Sequence, residues 1–196
     1  FVFGCTDSTA LNYNPLATVD DSSCCYNSSQ NWNQIGQDID GVASNNFSGE
    51  ATAMAANGSI IAIAADHNNS NGTQAGHVRV FENLGGTWSQ IGQDINGESS
   101  FDYSGTSISL NNSGNIIVIG AEYNDGNGLN SGHARVYENI SGNWTQVGQD
   151  INGEASSDYS GRSVSINNSG NIDPRTATEL AKELEIKTYT IGRNNF

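Results

Sequence analysis

An all-β array of tandem four-stranded antiparallel blades is the fold this sequence predicts, and three observations carry it. Trp32, Trp88 and Trp144 stand 56 residues apart, and residues 88–143 overlay 32–87 without a gap and 144–172 until the match stops. A fixed period of this kind is one supersecondary unit copied in tandem. Each full unit holds short β-type runs, and Gly/Asn-rich turns separate them. Blades of this length ring an axis as a β-propeller, which closes with roughly 4 to 8 of them. Two complete blades, 32–87 and 88–143, and an incomplete third, 144–172, make a partial propeller. The expectation is a fragment of a longer parent chain with further blades or domains.

Residues 1–26 form a small Cys-bounded module, with 27–31 as its linker to the array. A segment this short holds no core without a staple. The odd set Cys5, Cys24 and Cys25 leaves at least one thiol unpaired or joined elsewhere. A bridge between Cys5 and Cys24 would place the chain in an oxidising, extracytoplasmic setting, secreted or at the cell surface. Asp7, Asp20 and Asp21, beside Asn and backbone carbonyls, are candidate calcium ligands, since that ion takes oxygen donors. The plainer reading is a solvated loop. The pattern from Gly4 to Cys24 resembles small Cys-bounded modules of large secreted bacterial surface proteins, which implies location more than activity.

Within the second unit, 88–95 reads as the first strand, and Ser107–Leu110 (SISL) alternates polar with apolar as a half-buried strand does. NNSGN then supplies turn residues that tolerate positive φ. Ile116–Ala121 (IIVIGA) is a continuous apolar run, the mark of a core strand buried on both faces. In 133–138, His133, Arg135 and Tyr137 share one face, Ala134 and Val136 the other. ENISGN turns the chain into Trp144.

Tyr103-Ser104-Gly105 and Ile119-Gly120-Ala121, with Phe47-Ser48-Gly49 and Ala64-Ala65 in the first unit, resemble the landmarks of FG-GAP repeats in integrin-type propellers. That resemblance implies a calcium loop between the landmarks. Here the stretch is Asn111-Asn112-Ser113-Gly114-Asn115, without carboxylates, so the calcium site is not carried over. Residues 173–196 break the repeat. Asp173 and Pro174 suit a helix start, and Ala177, Leu180, Ala181 and Leu184 follow helical spacing before a strand KTYTIG. This helix-strand tail resembles the end of a von Willebrand factor A domain, implies no metal site here, and reads as foreign to the repeat.

The net charge of −14, without a Lys/Arg cluster in the repeats, argues against nucleic acid or an anionic membrane as partner. No apolar run reaches the roughly 20 residues of a spanning helix, so no membrane insertion is expected. His77 and His133 recur and read as side chains bonded to a neighbouring strand rather than as metal ligands; His67, whose counterpart is Tyr123, is no repeat requirement. Asp38, Asp94 and Asp150, with Glu98 and Glu154, recur in the units and read as turn caps rather than a glycosidase pair. The three Trp read as packing between blades. The best binding surface is the pair of long polar loops holding Asp66, Asn68, Glu122, Asn124, Asp125 and Asn127, where Asp66, Glu122 and Asp125 offer a weak calcium site. The expected function is binding or adhesion to a protein or glycan, with no catalysis and no required cofactor. The alternatives are the accessory propeller of a secreted glycan-active hydrolase, or a truncated or chimeric fragment without separate function.

Overall fold

The computed structural model describes residues 1–25 and 33–167, together with the backbone strand at 187–188. The chain divides into two compact bodies, Phe1–Gln34 and Ile35–Phe196. In the first, β1 (Phe3–Gly4) pairs in parallel with β2 (Val19–Asp20), and a disulfide joins Cys5 to Cys24. Cys5 and Ala10 are its buried apolar residues, while Phe1, Phe3, Leu11 and Leu16 are exposed. With so little burial, cross-linking across a sequence separation of 19 is the main constraint on the unfolded chain, worth about 3 kcal/mol. Cys25 is exposed and free.

The second body contains the blades. One sheet orders β3 (Thr52–Met54), β4 (Ile60–Ala65) and β5 (His77–Asn83), with β6 (Trp88–Gln90) and β7 (Ile95–Asn96) both on the far side of β5. The next repeats it with β8 (Ser107–Leu110), β9 (Ile116–Ala121), β10 (His133–Ile140), β11 (Asn143–Gln146) and β12 (Ile151–Asn152). All these pairings are antiparallel. β9 is buried along its whole length between β8 and β10, as its apolar run predicts.

The phase of the blades differs from the sequence reading. Trp88 and Trp144 do not open the sheets of their own units; their strands close the sheets that precede them. The cause is the turn. Ser141 and Gly142 both have positive φ and join Ile140 to Asn143, and Gly85 and Gly86 do the same before Trp88. A two-residue turn of that handedness commits the chain to a tight hairpin with the strand just left. Each indole then reaches one unit further back: Trp144 Nε1 donates to Ile91 O at 2.9 Å and Trp88 Nε1 to Ile35 O at 2.9 Å. Trp144 is buried among Ile95, Leu110, Ile117 and Tyr137, so it packs between blades as expected, whereas Trp88 is only partly buried and Trp32 lies outside the described residues.

The two faces of β10 separate as its alternation predicts. Ile117, Ile119 and Tyr137 pack on Ala62, Ala64, Val78 and Val80 of the first sheet. Ile116, Val118, Ala134 and Val136 pack instead with β13 (Val164–Ser165) of the third unit. β13 pairs with β14 (Lys187–Thr188), where a complete unit would supply its apolar core strand. The helix expected over the preceding part of the tail lies outside the described residues. No helix among the described residues is long and apolar enough to cross a membrane.

Neighbouring units approach closely at Gly76, whose φ is +80 and whose Cβ, if added, would lie 2.1 Å from Ser104 O. Gly49 also has positive φ but meets nothing within 4 Å. Gly49→Ala therefore isolates the backbone term, roughly 1–2 kcal/mol. Gly76→Ala adds a backbone clash and should cost clearly more in urea denaturation, ~3 kcal/mol or above. Equal losses would show that the two loops are not in contact.

Candidate functional site

The loops that follow β4 and β9 and those that precede β8 and β13 form one connected surface. Its frame is a set of hydrogen bonds between units. Phe101 N, Tyr103 N and Ser104 N donate to Thr73 O, Gln74 O and Ala75 O at 2.8, 3.1 and 2.9 Å. Ser157 N, Tyr159 N and Ser160 N repeat this on Leu129 O, Asn130 O and Ser131 O at 2.8, 3.1 and 2.9 Å. To present their amides, Tyr103 and Tyr159 each adopt a φ of 52°, the value that Phe47 also takes at the matching position. A bulky residue rarely holds that conformation unless its surroundings over-determine it.

That backbone aims a ring from each unit at a second ring on the adjacent loop. Phe47, His67, Tyr103, Tyr123 and Tyr159 form a continuous run of ring contacts, edge-to-face except for the tilted Tyr103–Tyr123 pair, with successive centroids 4.5, 5.0, 5.2 and 5.6 Å apart. Beside it opens a cleft of about 630 Å³ lined by Asp66, His67, Tyr103, Glu122, Tyr123 and Asp125 among others. Sequence reasoning missed this run. The signal was the period itself, which carries an aromatic at 47, 103 and 159 and a ring at 67 and 123.

The six loop residues expected to bind divide into two groups. Asp66, Glu122 and Asp125 line the cleft. Asn68, Asn124 and Asn127 instead hold the loops in shape. Asn68 Oδ1 accepts from Ser70 N at 2.8 Å; Asn124 Nδ2 donates to Asp102 Oδ2 at 3.0 Å; and Asn127 Nδ2 donates to Gly153 O of the following unit at 2.7 Å. The cleft acids have partners of their own. Asp66 Oδ1 lies 2.9 Å from His67 Nδ1, Arg162 Nε lies 3.7 Å from Glu122 Oε2, and Asp125 Oδ1 accepts from Asn130 N at 2.7 Å. Burial pushes the Glu122 carboxyl above its ordinary range; Arg162 opposes this and Asp66 adds to it.

Neither calcium candidate assembles as a compact donor cluster. Asp7, Asp20 and Asp21 each accept from a backbone amide two residues on, from Thr9, Ser22 and Ser23. The cluster among the described residues with donor atoms within 4.8 Å of one another is Glu98, His133 and Asp150, which contains none of these acids, nor Asp66, Glu122 or Asp125. The stretch 111–115 does not fit calcium either. It lacks carboxylates, Asn111 Oδ1 accepts from Ile116 N, and Asn111 Nδ2 donates to Asn115 Oδ1.

His77 and His133 face Asp94 and Asp150, with Nδ1 to Oδ2 distances of 3.4 and 3.6 Å. Both imidazoles are buried, and neither Nδ1 has a hydrogen bond. The bond expected for them is therefore not formed at that nitrogen. Asp94 and Asp150 also accept from Gln90 Nε2 and Gln146 Nε2, each at 2.7 Å, which explains the recurring acid two residues beyond Gly.

Residues 96–137 match the family model for the FG-GAP repeat. Over those residues the chain is FG-GAP-like. The match runs from the end of β7 into β10 and contains both landmarks, 103–105 and 119–121. In the FG-GAP unit the aromatic of the first landmark is the left-handed residue of the ring run, and Gly105 N donates to Gly120 O of the second at 2.9 Å. No curated protein sequence matches the chain.

Burial lowers the affinity of both histidines for protons, against the pull of Asp94 on His77 and of Asp150 and Asp102 on His133. Their folded pKa lies below the ordinary 6.5. The unfolded chain thus binds protons first as pH falls, and stability is complete above that value and declines below it. Chemical denaturation of metal-free protein should show this decline beginning near pH 6.5, and His77→Gln with His133→Gln should flatten it. An unchanged slope in the double variant would exclude the histidines as its source.

Proposed function

We propose that this chain is a non-catalytic binding module of the cell exterior that engages a protein or glycan ligand in the cleft beside the aromatic run. The observation that carries this reading is the continuity of that run over three units, flush with a cleft that holds carboxylates. Pockets that combine aromatic walls with a few fixed polar groups are the usual form of ligand sites. Phe101, Tyr123 and Leu129 line this one while more than a third exposed, which leaves apolar surface for a partner to cover. Binding rather than turnover is favoured because Asp66 and Asp125 are each tied by a hydrogen bond, which leaves Glu122, held only by the 3.7 Å ion pair to Arg162, without a second free carboxylate to pair with as acid and base. The Cys5–Cys24 disulfide supports an extracytoplasmic setting.

Glycan-array and surface-protein capture measurements test this reading. Tyr123→Ala should weaken binding of whichever ligand is captured about tenfold or more, by removing a central ring. Glu122→Gln should do the same while raising the melting temperature, because a buried carboxylate with an elevated pKa destabilises the fold at neutral pH. Capture that survives both changes would place the ligand elsewhere.

A further inference from the structure

We propose that Glu98, His133 and Asp150 form a binding site for a divalent transition-metal ion of the zinc class, bridging the first and second sheets. Glu98 follows β7 of the first sheet, whereas His133 opens β10 and Asp150 precedes β12 of the second. Their donor atoms lie within 4.8 Å of one another. An imidazole nitrogen with two carboxylate oxygens suits zinc, cobalt or nickel better than calcium or magnesium, which prefer oxygen alone.

The second observation is independent of the acids. His133 is only 2% exposed, and its Nδ1 has no hydrogen-bond partner. A buried ring nitrogen left unpaired has lost its water and gained no bond in exchange. It faces Asp150 Oδ2 at 3.6 Å, too far for a hydrogen bond. Two ligands each about 2.0–2.2 Å from a tetrahedral zinc ion stand about 3.3–3.6 Å apart, so the gap has the size of a shared metal. Asp150 is oriented for that role by its other oxygen, which accepts from Gln146 Nε2 at 2.7 Å and Arg135 Nε at 3.1 Å.

Arg135 is the cation already in place. It contacts Glu98 Oε2 and Asp150 Oδ1, leaving Asp150 Oδ2 turned to the histidine. With a neutral imidazole, two carboxylates and one guanidinium still sum to −1. An incoming dication takes Glu98 from the Arg135 guanidinium, whose Nε keeps its hold on Asp150 Oδ1. The first unit is an internal control: His77, Asp94 and Gln90 recur, but Val42 stands where the period places Glu98. One ion per chain follows.

The test is titration of chelator-treated chain with zinc and with cobalt(II), in a Cys25→Ser background so that the free thiol does not compete. Calorimetry should give one equivalent, cobalt should develop the absorption of a low-symmetry nitrogen–oxygen site, and zinc should raise the melting temperature. Glu98→Gln, at a side chain about half exposed, should leave the metal-free fold intact and weaken zinc at least tenfold. His133→Gln should abolish the cobalt spectrum. No zinc-induced shift at millimolar concentration, undiminished binding in Glu98→Gln, or an equal shift with calcium would overturn the proposal.

Discussion

The backbone hydrogen bonds between one unit's 73–75 carbonyls and the next unit's 101–104 amides are the constraint from which the rest of the surface follows. They join main chain to main chain, so they tolerate replacement of the side chains around them. Thr73 becomes Leu129, Gln74 becomes Asn130 and Phe101 becomes Ser157, and the bond lengths barely change. What they do not tolerate is an ordinary φ at the residue that must turn its amide backwards. Tyr103 and Tyr159 take the left-handed conformation, and the ring packing along the run helps to hold it there. The aromatic run is thus the side-chain consequence of a backbone requirement.

The sheets adhere by two kinds of contact. Ala62, Ala64, Val78 and Val80 against Ile117 and Ile119 supply the apolar burial between blades, at about 25 cal/mol per Å² of surface removed from water. Toward the outer strands the same interface turns polar, with His133, Arg135, Glu98 and Asp150 in one cluster. Such a cluster adds little net stability, since desolvation offsets much of the attraction. Its arrangement also varies: Arg79 donates to Asp40 O where Arg135 meets a carboxylate. The apolar contact is therefore the shared element of each junction and the polar one is where junctions differ.

The period, the turns and the core strand were legible in the sequence because each depends on residues within one unit. IIVIGA announces a strand buried on both faces by itself, and β9 is one. The blade phase was not legible in the same way. Nothing in Trp144 says which sheet it joins; Ser141 and Gly142 decide that through their φ, and turn type is only implicit in ISGN. The ring run was missed for a related reason. His67 looks dispensable beside Tyr123 when residue identity is compared, yet both meet the same demand for a flat ring between two neighbours. Asn68, Asn124 and Asn127 resemble ligand donors in composition, and only the loop geometry shows that their bonds are spent within the protein.

The cleft belongs to a junction rather than to a blade. Asp66 and His67 come from the loop of one unit, whereas Tyr103, Glu122 and Tyr123 come from the next, and Arg162 of a third meets Glu122. A single unit, however stable, would carry only one wall. The same is true of Glu98 with His133 and of Trp144 with Ile91, each made by residues 35 to 53 apart that the fold stacks together. In a tandem array the number of such sites therefore grows with the number of junctions. The identity of each site is set by the few positions, such as Val42 and Glu98 or Asp66 and Glu122, at which successive copies have diverged.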